Sequence, residues 1–501
     1  MKLFKFISLL LTVVMLLGLL LSCGGDNTAV ETDDNKQTDT VNPDGEITPP
    51  PENAEEARID PELPDSDFDG YQFNFLTHLY SGDDWVNETP LELIAEEETG
   101  EPINDAVYKR NMTIKEKYNV DIIMTPNSDE RGTLRKSVQA GDSVYDAVIM
   151  FNNNVPGIVT GELLVNTDNL PYIDLEKPWW DSAANSMSIA NKNYLLAGDS
   201  MILDNEATNA LLFNKDLMSN LGLDLPYNLV KEGKWTMDVL DEYIKNAAVD
   251  LNGDGTMTPF DDQWGLLMFN DSLHALLVSG GGTLALKDDN DMPYITVNTP
   301  RNISVIDKAI SLYNSAYTLN IQAMPDSTQW TSAYIGTFEE SRALFMWVRM
   351  RVVEWFRGME ANFGILPMPK FDEAQENYHS VVNNYTGALL GVPKSADNLD
   401  RVSIILEAIA AESRYTLKPA YYDVVLTRKY TRDEESEEML DIIFNSRAYD
   451  VGAVYSFGGV FISFIDLAKS TNLNIASFYE KNEARMMKDI EKIAGIFQEM
   501  D

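Results

Sequence analysis

The segment at residues 250–262 has the most specific chemical spacing in this 501-residue chain. Side-chain oxygens occupy positions 1, 3, 5 and 9 of a calcium-loop pattern, and Gly255 occupies the sixth, where such a loop turns sharply. The candidate Ca²⁺ ligands are Asp250, Asn252, Asp254, Thr256 through its carbonyl, Thr258, Asp261 and Asp262. An EF-hand would close with Glu and continue into a helix, whereas residues 263–267 have a strand pattern. We therefore predict a structural Ca²⁺ loop on another fold, with an ion-free turn of solvated carboxylates as the alternative.

The start of the chain predicts a different chemistry, the acylation of a cysteine. Two lysines precede a nearly unbroken apolar run at residues 6–21, as in a secretory signal. The run is shorter than the about 20 apolar residues that a membrane-spanning helix needs. It ends in Leu20-Leu21-Ser22-Cys23, which resembles the lipobox of bacterial lipoproteins, and Cys23 is the only cysteine. We expect Cys23 to carry the lipid, with an ordinary signal peptide or an uncleaved anchor as the alternatives.

Composition and charge limit the classes of partner. The chain has 80 acidic residues against 38 Lys and Arg, a net charge of −42. Such a charge repels nucleic acids and anionic lipid surfaces, so we expect neither as a partner. Three histidines make a histidine-rich transition-metal site a poor fit. The apolar content of 44% is that of a globular protein, and 501 residues suggest two domains.

Strand and helix patterns alternate in the first part of the folded chain. Residues 71–77 and 120–124 read as strands, and residues 145–151 as a third, nearly continuously apolar one. Residues 102–117 and 134–139, which lie between them, have helical spacing. Strands that alternate with helices in this way indicate βαβ units and an α/β domain.

Polar and aromatic residues follow these predicted strands. Ligands of open α/β sheets lie at the carboxyl ends of the strands, where we place His78, Asn152 and Asn153. Trp179, Trp180 and Asp181 follow in a loop. Two adjacent indoles on a loop are not expected to enter one core, so we predict that at least one faces a ligand cleft or a partner. A clamp on the domain surface is the alternative.

Later segments carry a resemblance to a known family. Phe213-Asn214-Lys215-Asp216-Leu217, the helix start Lys234-Trp235-Thr236 and the segment 363–369 resemble family 1 extracellular solute-binding proteins, the maltose-binding-protein-like receptors of ABC importers. Residues 178–181 and 429–439 resemble, more narrowly, surface lipoproteins of Gram-positive bacteria. The resemblance implies an α/β, two-lobed periplasmic-binding-protein-like fold of type II, with a hinge between the lobes.

The resemblance also implies a domain order and further ligand residues. The predicted order is a signal peptide at 1–22, a disordered acidic tether at 23–66, lobe 1 at 67–206, lobe 2 at 207–363, a return to lobe 1 at 364–413 and a C-terminal helical part at 414–501 that packs mainly on lobe 2. The resemblance implies that Trp347 and Arg349 contact the ligand from lobe 2. The glycine and the aromatic residue that the family usually has beside them are missing here, and core packing of Trp347 is the alternative. Glu206 and Asn209 would reach the ligand from the crossing between the lobes.

The function that follows is that of a receptor and not of an enzyme. We expect a monomer, lipid-anchored at the extracellular face of the cell membrane, that binds a carbohydrate, in particular an oligosaccharide, and delivers it to ABC importer permease subunits. Aromatic rings that stack on sugars and polar side chains that bind hydroxyls fit such a ligand. A surface enzyme that uses two carboxylates on glycans is one alternative, although GxSxG, HExxH and P-loop motifs are missing. A glycan-binding adhesin or sensor is the other.

Overall fold

The computed structural model describes residues 58–79, 91–426, 434–469 and 474–500. The predicted signal peptide, the acylated Cys23 and most of the predicted tether at 23–66 lie outside these described residues. From Ile59 onward the chain forms one compact unit.

The strands are short and come from all parts of this unit. In chain order they are β1 (Tyr71–His78), β2 (Val120–Asn127), β3 (Ala147–Phe151), β4 (Asn209–Asn214), β5 (Trp264–Met268), β6 (Ala285–Lys287), β7 (Pro293–Ile295), β8 (Thr318–Asn320), β9 (Ala343–Arg349), β10 (Phe363–Leu366), β11 (Ser380–Val381), β12 (Ala388–Gly391) and β13 (Arg447–Ala448).

The helices surround these strands and dominate the C-terminal part. In chain order they are α1 (Pro102–Tyr118), α2 (Glu130–Ala140), α3 (Val155–Val159), α4 (Leu203–Ala207), α5 (Lys215–Leu221), α6 (Tyr227–Lys231), α7 (Met237–Ala247), α8 (Ser272–Ser279), α9 (Pro300–Tyr313), α10 (Trp330–Glu339), α11 (Leu399–Tyr415), α12 (Leu417–Leu426), α13 (Glu434–Asn445), α14 (Val451–Val454), α15 (Val460–Ile465) and α16 (Ile475–Glu499).

The first sheet has the strand order β12-β3-β1-β2. Strand β1 pairs in parallel with β2 and β3, and β12 pairs antiparallel with β3. Side chains alternate between the faces of a strand, so Ile149 enters one buried apolar cluster and Met150 enters the other. Both faces are therefore covered, which explains why β3 is continuously apolar. The βαβ prediction for this region is confirmed.

The second sheet has the strand order β10-β4-β9-β5-β8. Strand β5 is parallel to β8 and β9, so the carboxyl ends of these three strands meet at one edge. Strands β10 and β9 pair antiparallel with β4 on its two sides. Since β10 belongs to this sheet through Leu366, the return toward the first sheet begins after that residue and not at 364 as predicted. The predicted helix start at Thr236 is confirmed, because α7 begins at Met237 and the Thr236 hydroxyl caps it by accepting the Val239 N–H.

The two sheets are connected by neighbouring segments that are bonded to each other. Thr208 forms an antiparallel bridge with Val382, and the Asn383 N–H donates to the Ala207 carbonyl at 2.9 Å. One segment leads from the first sheet to β4, and the other leads back to β12. Such a pair of adjacent crossings can act as a hinge, because a few residues absorb the rotation between the lobes.

A tight turn fixes the position of helix α15. Ser456, Gly458 and Gly459 before it all have positive φ. A Cβ atom on Gly458 would stand 2.8 Å from the backbone of Arg485 in α16. Because only glycine tolerates both this φ and this approach, the turn holds α15 against α16.

Candidate functional site

A pocket of about 310 Å³ lies at the edge where β5, β8 and β9 end. Its lining combines residues after β5, after β8 and at the end of β9 with residues from the return crossing and from α15. The lining residues are Phe269, Asn270, Asp271, Gln322, Trp347, Arg349, Tyr385, Ile462, Ile465 and Asp466. The position matches the rule that α/β proteins bind ligands at the carboxyl ends of parallel strands.

Aromatic side chains form one part of the lining. The rings of Phe269 and Trp347 have centroids 6.4 Å apart, and Phe269 also meets Tyr334 edge-on at 4.6 Å. Trp347 is only 3% exposed, and its indole Nε1 has no hydrogen-bond partner within the described parts of the chain. Tyr385 is partly exposed. The pocket thus offers ring surface, and one buried donor lies beside it.

Polar groups form the rest of the lining and are already organised by the protein. The Gln322 side-chain oxygen accepts the Asn270 N–H at 2.7 Å, which joins the loops after β8 and β5. The Asp271 carboxylate accepts the Asn383 side-chain amide at 2.9 Å. This second bond connects the pocket to the return crossing, so a ligand at Asp271 would act on a segment that joins the lobes.

Charges act on one another across the pocket. Burial lowers the pKa of Arg349, while the Asp271 carboxylate and the Tyr334 hydroxyl act in the opposite direction. Burial, with added effects of Asp271 and Asp466, raises the pKa of Tyr385 to about 12. Under neutral conditions the Tyr385 phenol is therefore uncharged, and it lies in the same lining as the side chains of Asp271, Asp466 and Arg349.

The sequence profile described as bacterial extracellular solute-binding protein matches residues 95–404. The matched range covers more than half of the chain and includes every strand from β2 to β12. The chain belongs to this family. The predicted resemblance is therefore confirmed, and the family consists of extracellular binding proteins. A search of curated proteins found no match.

Three solved structures, two of them of sugar-binding proteins in complex with their ligands, share the fold. The galacto-N-biose/lacto-N-biose I-binding protein of Bifidobacterium longum, in complex with lacto-N-biose, aligns with a TM-score of 0.56 at 12% identity over 85% of this chain and 99% of its own. UspC of M. tuberculosis aligns at 0.54 and 15% identity over 83% and 100%. MalE of Bdellovibrio bacteriovorus, bound to maltotriose, aligns at 0.52 and 13% identity over 84% and 100%. These similarities confirm the predicted two-lobed α/β fold.

Across the described ranges, no helix combines the length and the apolar character that crossing a membrane requires.

The structure places Trp179 and Trp180 in the core and not at a cleft. They are 0% and 6% exposed and belong to one apolar cluster, so the expectation that adjacent indoles cannot share a core is wrong. The reason is Glu407 on α11. Its two carboxylate oxygens accept the indole N–H groups of Trp179 at 2.9 Å and Trp180 at 2.8 Å. Burial raises the pKa of Glu407 to about 7, although the indole bonds act in the opposite direction.

Asp181 is likewise used inside the protein. Its carboxylate lies 3.1 Å from Nε of Arg447 and accepts the Ala183 N–H at 3.0 Å. Arg447 also pairs with Asp204 at 3.0 Å. Asp204 is deeply buried, which raises its pKa to about 6. This ion cluster ties β13 to the segment before the hinge, and a ligand role for Asp181 is not supported.

The predicted residues at the first sheet lie at its carboxyl edge, apart from the pocket lining. His78 Nδ1 is 2.7 Å from the Glu130 carboxylate, which also accepts the side-chain amide of Asn154. Asn152 is fully buried, and its side-chain amide has no partner among the described residues. Its backbone N–H donates to Gly387, two residues beyond Tyr385. Asn153 is exposed. Ligand contact by His78, Asn152 and Asn153 stays a prediction.

The remaining predicted ligand residues divide between the crossing and the pocket. Glu206 faces Arg351 at 3.8 Å, and Asn209 is 1% exposed, with its side-chain amide donating to Val381 at 2.7 Å. Neither lines the pocket, and the prediction that they reach a ligand from the crossing between the lobes stays a prediction. Trp347 and Arg349 do line it. Their contact with a ligand stays a prediction.

Several lining residues were missed from the sequence. Residues 269–271 follow a segment that was predicted as a strand, so the carboxyl-end rule would have found them had it been applied to the second sheet. Tyr385 lies in the return crossing, just before β12. Ile462 and Ile465 come from α15 and Asp466 follows directly after it; the approach of this helix depends on the C-terminal packing and leaves no local signal.

The predicted calcium loop forms a series of turns. Both oxygens of Asp250 accept backbone N–H groups, from Gly253 at 2.7 Å and Gly255 at 2.8 Å, and both glycines have positive φ. Asp262 is buried and accepts the N–H groups of Leu251 and Thr258. Within the described ranges no group of three or more His, Cys, Asp or Glu is arranged to hold a metal. Ca²⁺ binding by this loop stays a prediction.

Proposed function

We propose that the protein is a lipid-anchored extracellular receptor that captures a carbohydrate, in particular an oligosaccharide, in this pocket and delivers it to an ABC importer. The observation that carries the proposal is the lining itself, in which the rings of Phe269, Trp347 and Tyr385 stand beside amide, carboxylate and guanidinium groups. Sugars present apolar faces and hydroxyl edges, and a site of this composition matches both.

Two further observations support a carbohydrate. The family is one of extracellular solute-binding proteins, and two structures of the same fold hold lacto-N-biose and maltotriose. The volume of about 310 Å³ lies at the lower end of the roughly 300–1,000 Å³ typical of small-molecule pockets. A short saccharide or one end of a longer chain would fit such a volume.

The mechanism follows from the way in which the pocket is built. Its lining joins the second sheet to the return crossing through the bond between Asp271 and Asn383. A ligand that contacts both the second sheet and the return crossing would bind the closed arrangement of the lobes more tightly than the open one. It would therefore shift the equilibrium toward closure. Closure would remove water from the rings and polar groups and so strengthen each contact. The permease would then recognise the closed receptor, while acylated Cys23 keeps the receptor at the membrane.

A thermal-shift screen of the full-length protein against mono- and oligosaccharides tests the ligand class. A ligand at 100 times its Kd adds about 2.7 kcal/mol to the free energy of unfolding, which is readily measured as an increase in Tm. We expect such an increase with at least one carbohydrate. Shifts with amino acids or peptides and none with carbohydrates would contradict the proposal. New reducing ends during incubation would indicate the glycan-acting enzyme instead.

A further inference from the structure

We propose that the pocket selects its ligand by charge, accepting neutral and amine-bearing sugars and rejecting sugars that carry a carboxylate. This inference rests on the proposed function, because it names the class of carbohydrate that the same pocket takes. It is carried by the charged groups that line the pocket and by the way in which they are paired.

The lining is negative on balance. Among the lining residues that the structure describes, Asp271 and Asp466 carry carboxylates and Arg349 carries a guanidinium. A ligand carboxylate would enter a partly desolvated space beside two groups of its own sign, where such repulsion is stronger than in water.

The guanidinium is engaged by the protein's own carboxylate. Burial lowers the pKa of Arg349 and the Asp271 carboxylate opposes this effect, so the charge of Asp271 acts on the guanidinium. Asp271 is in turn held by the amide of Asn383 at 2.9 Å. A ligand carboxylate at Arg349 would therefore compete with a charge partner that is already in position. For this reason we do not assign Arg349 the role of an anion clamp.

Both carboxylates act at the end of the pocket where Tyr385 lies. Asp271, Asp466 and Tyr385 line the same pocket, and burial and then the charges of both carboxylates raise the pKa of the Tyr385 hydroxyl. A ligand ammonium at this end would meet negative potential and the faces of aromatic rings, which attract cations. Sugar hydroxyls would donate to the same carboxylates. The geometry thus favours donors, neutral or charged, at this end.

The test compares three forms of the same saccharides. An array presents di- and trisaccharides of glucose, galactose and mannose unmodified, with a 2-amino group, or oxidised at C6 to uronates. Calorimetry near pH 7 in about 0.15 M salt then gives Kd values, since this ionic strength screens the −42 charge of the whole chain beyond about 8 Å. We expect the uronate form of the tightest saccharide to bind at least tenfold more weakly than the unmodified form. The amine form should bind at least as tightly.

Matched variants separate the local charge from the total charge. Asp466→Asn should reduce the preference for the neutral over the uronate form about threefold. Glu162→Gln removes the same charge on the surface, where Glu162 pairs with Lys394 outside the pocket, and should leave the preference unchanged.

The outcomes distinguish the two proposals. A uronate that binds as tightly as its neutral form to the unaltered protein would overturn the charge selection and leave the carbohydrate receptor in place. No binding by any of the three forms would overturn both. If Asp466→Asn lowers Tm by more than a few degrees, the comparison of the three forms on the unaltered protein still decides the question.

Discussion

Glu407 provides a sensitive test of the core of the first lobe, because its carboxylate is buried and bonded to two indole rings. The N–H groups of Trp179 and Trp180 donate to its two oxygens at 2.9 and 2.8 Å. Glu407→Gln removes the titrating group, keeps the shape and turns one amide N–H toward an indole donor. The substitution should therefore lower the free energy of unfolding by about 1–3 kcal/mol through this lost acceptor, at every pH.

The change in the free energy of unfolding with pH gives a more specific test of Glu407. Burial raises the pKa of Glu407 from 4.5 to about 7, so the folded protein keeps a proton that the unfolded chain has released over this window. The contribution of Glu407 to stability is then complete below about pH 4.5, falls as the pH rises toward 7 and levels off above 7. At about 1.4 kcal/mol per pKa unit, the loss between pH 5 and pH 7.5 is roughly 2 kcal/mol.

Urea unfolding at several pH values between 5 and 7.5 measures this difference. The unaltered protein should lose roughly 2 kcal/mol more than Glu407→Gln over that range, whereas the surface control Glu162→Gln should follow the unaltered protein. The loss of the acceptor lowers the free energy of unfolding equally at every pH, so it does not affect the slope of that free energy with pH. If the free energy of unfolding changed equally with pH in Glu407→Gln and in the unaltered protein, the inference that Glu407 is buried and keeps its proton up to about pH 7 would be refuted.

Three other features of the chain can be tested in the same way. Trp180→Ala should lower Tm and leave carbohydrate affinity unchanged, because the Trp180 ring lies in the core. Trp347→Ala should weaken carbohydrate binding at least tenfold in calorimetry, because Trp347 lines the pocket. Equal affinities of the two variants would contradict the placement of the site. Cys23→Ala should release the protein from the membrane fraction of cells, and full retention would exclude the lipid anchor. Chelation should lower Tm without abolishing carbohydrate binding if residues 250–262 hold Ca²⁺. An unchanged melting curve, in a sample that elemental analysis shows to be metal-free, would count against that ion.

The sheets were predictable because their signals are local. Alternation at residues 71–77 and the continuous apolar run at 145–151 both mark extended segments, and neither signal depends on distant parts of the chain. The helix start at Thr236 is equally local, since the cap needs one hydroxyl and the N–H three residues later. These elements lie where the sequence placed them, within a few residues.

The role of the tryptophan pair was not predictable in the same way. Two adjacent indoles enter one core because a carboxylate 227 residues beyond Trp180 accepts both of their N–H groups. Glu407 stands in an almost continuously apolar stretch of α11, from Ile404 to Ala411, which marks the helix as buried but does not identify the partners of the carboxylate. The same limit applies to Asp181, whose partner Arg447 also comes from a distant segment. A polar residue's role depends on partners that only the fold brings together.

The pocket shows why ligand residues were harder to find than strands. Each lining segment is ordinary alone, and the site arises because three strand ends, a crossing and a C-terminal helix meet. Tyr385 and Asn383 belong to the crossing, and Asn383 bonds Asp271 at the end of β5. The residues that would contact the ligand are thus bonded to residues about which the lobes would turn. Binding and closure would be coupled through these few groups, so a substitution at Asn383 should change both together, even though Asn383 does not line the pocket.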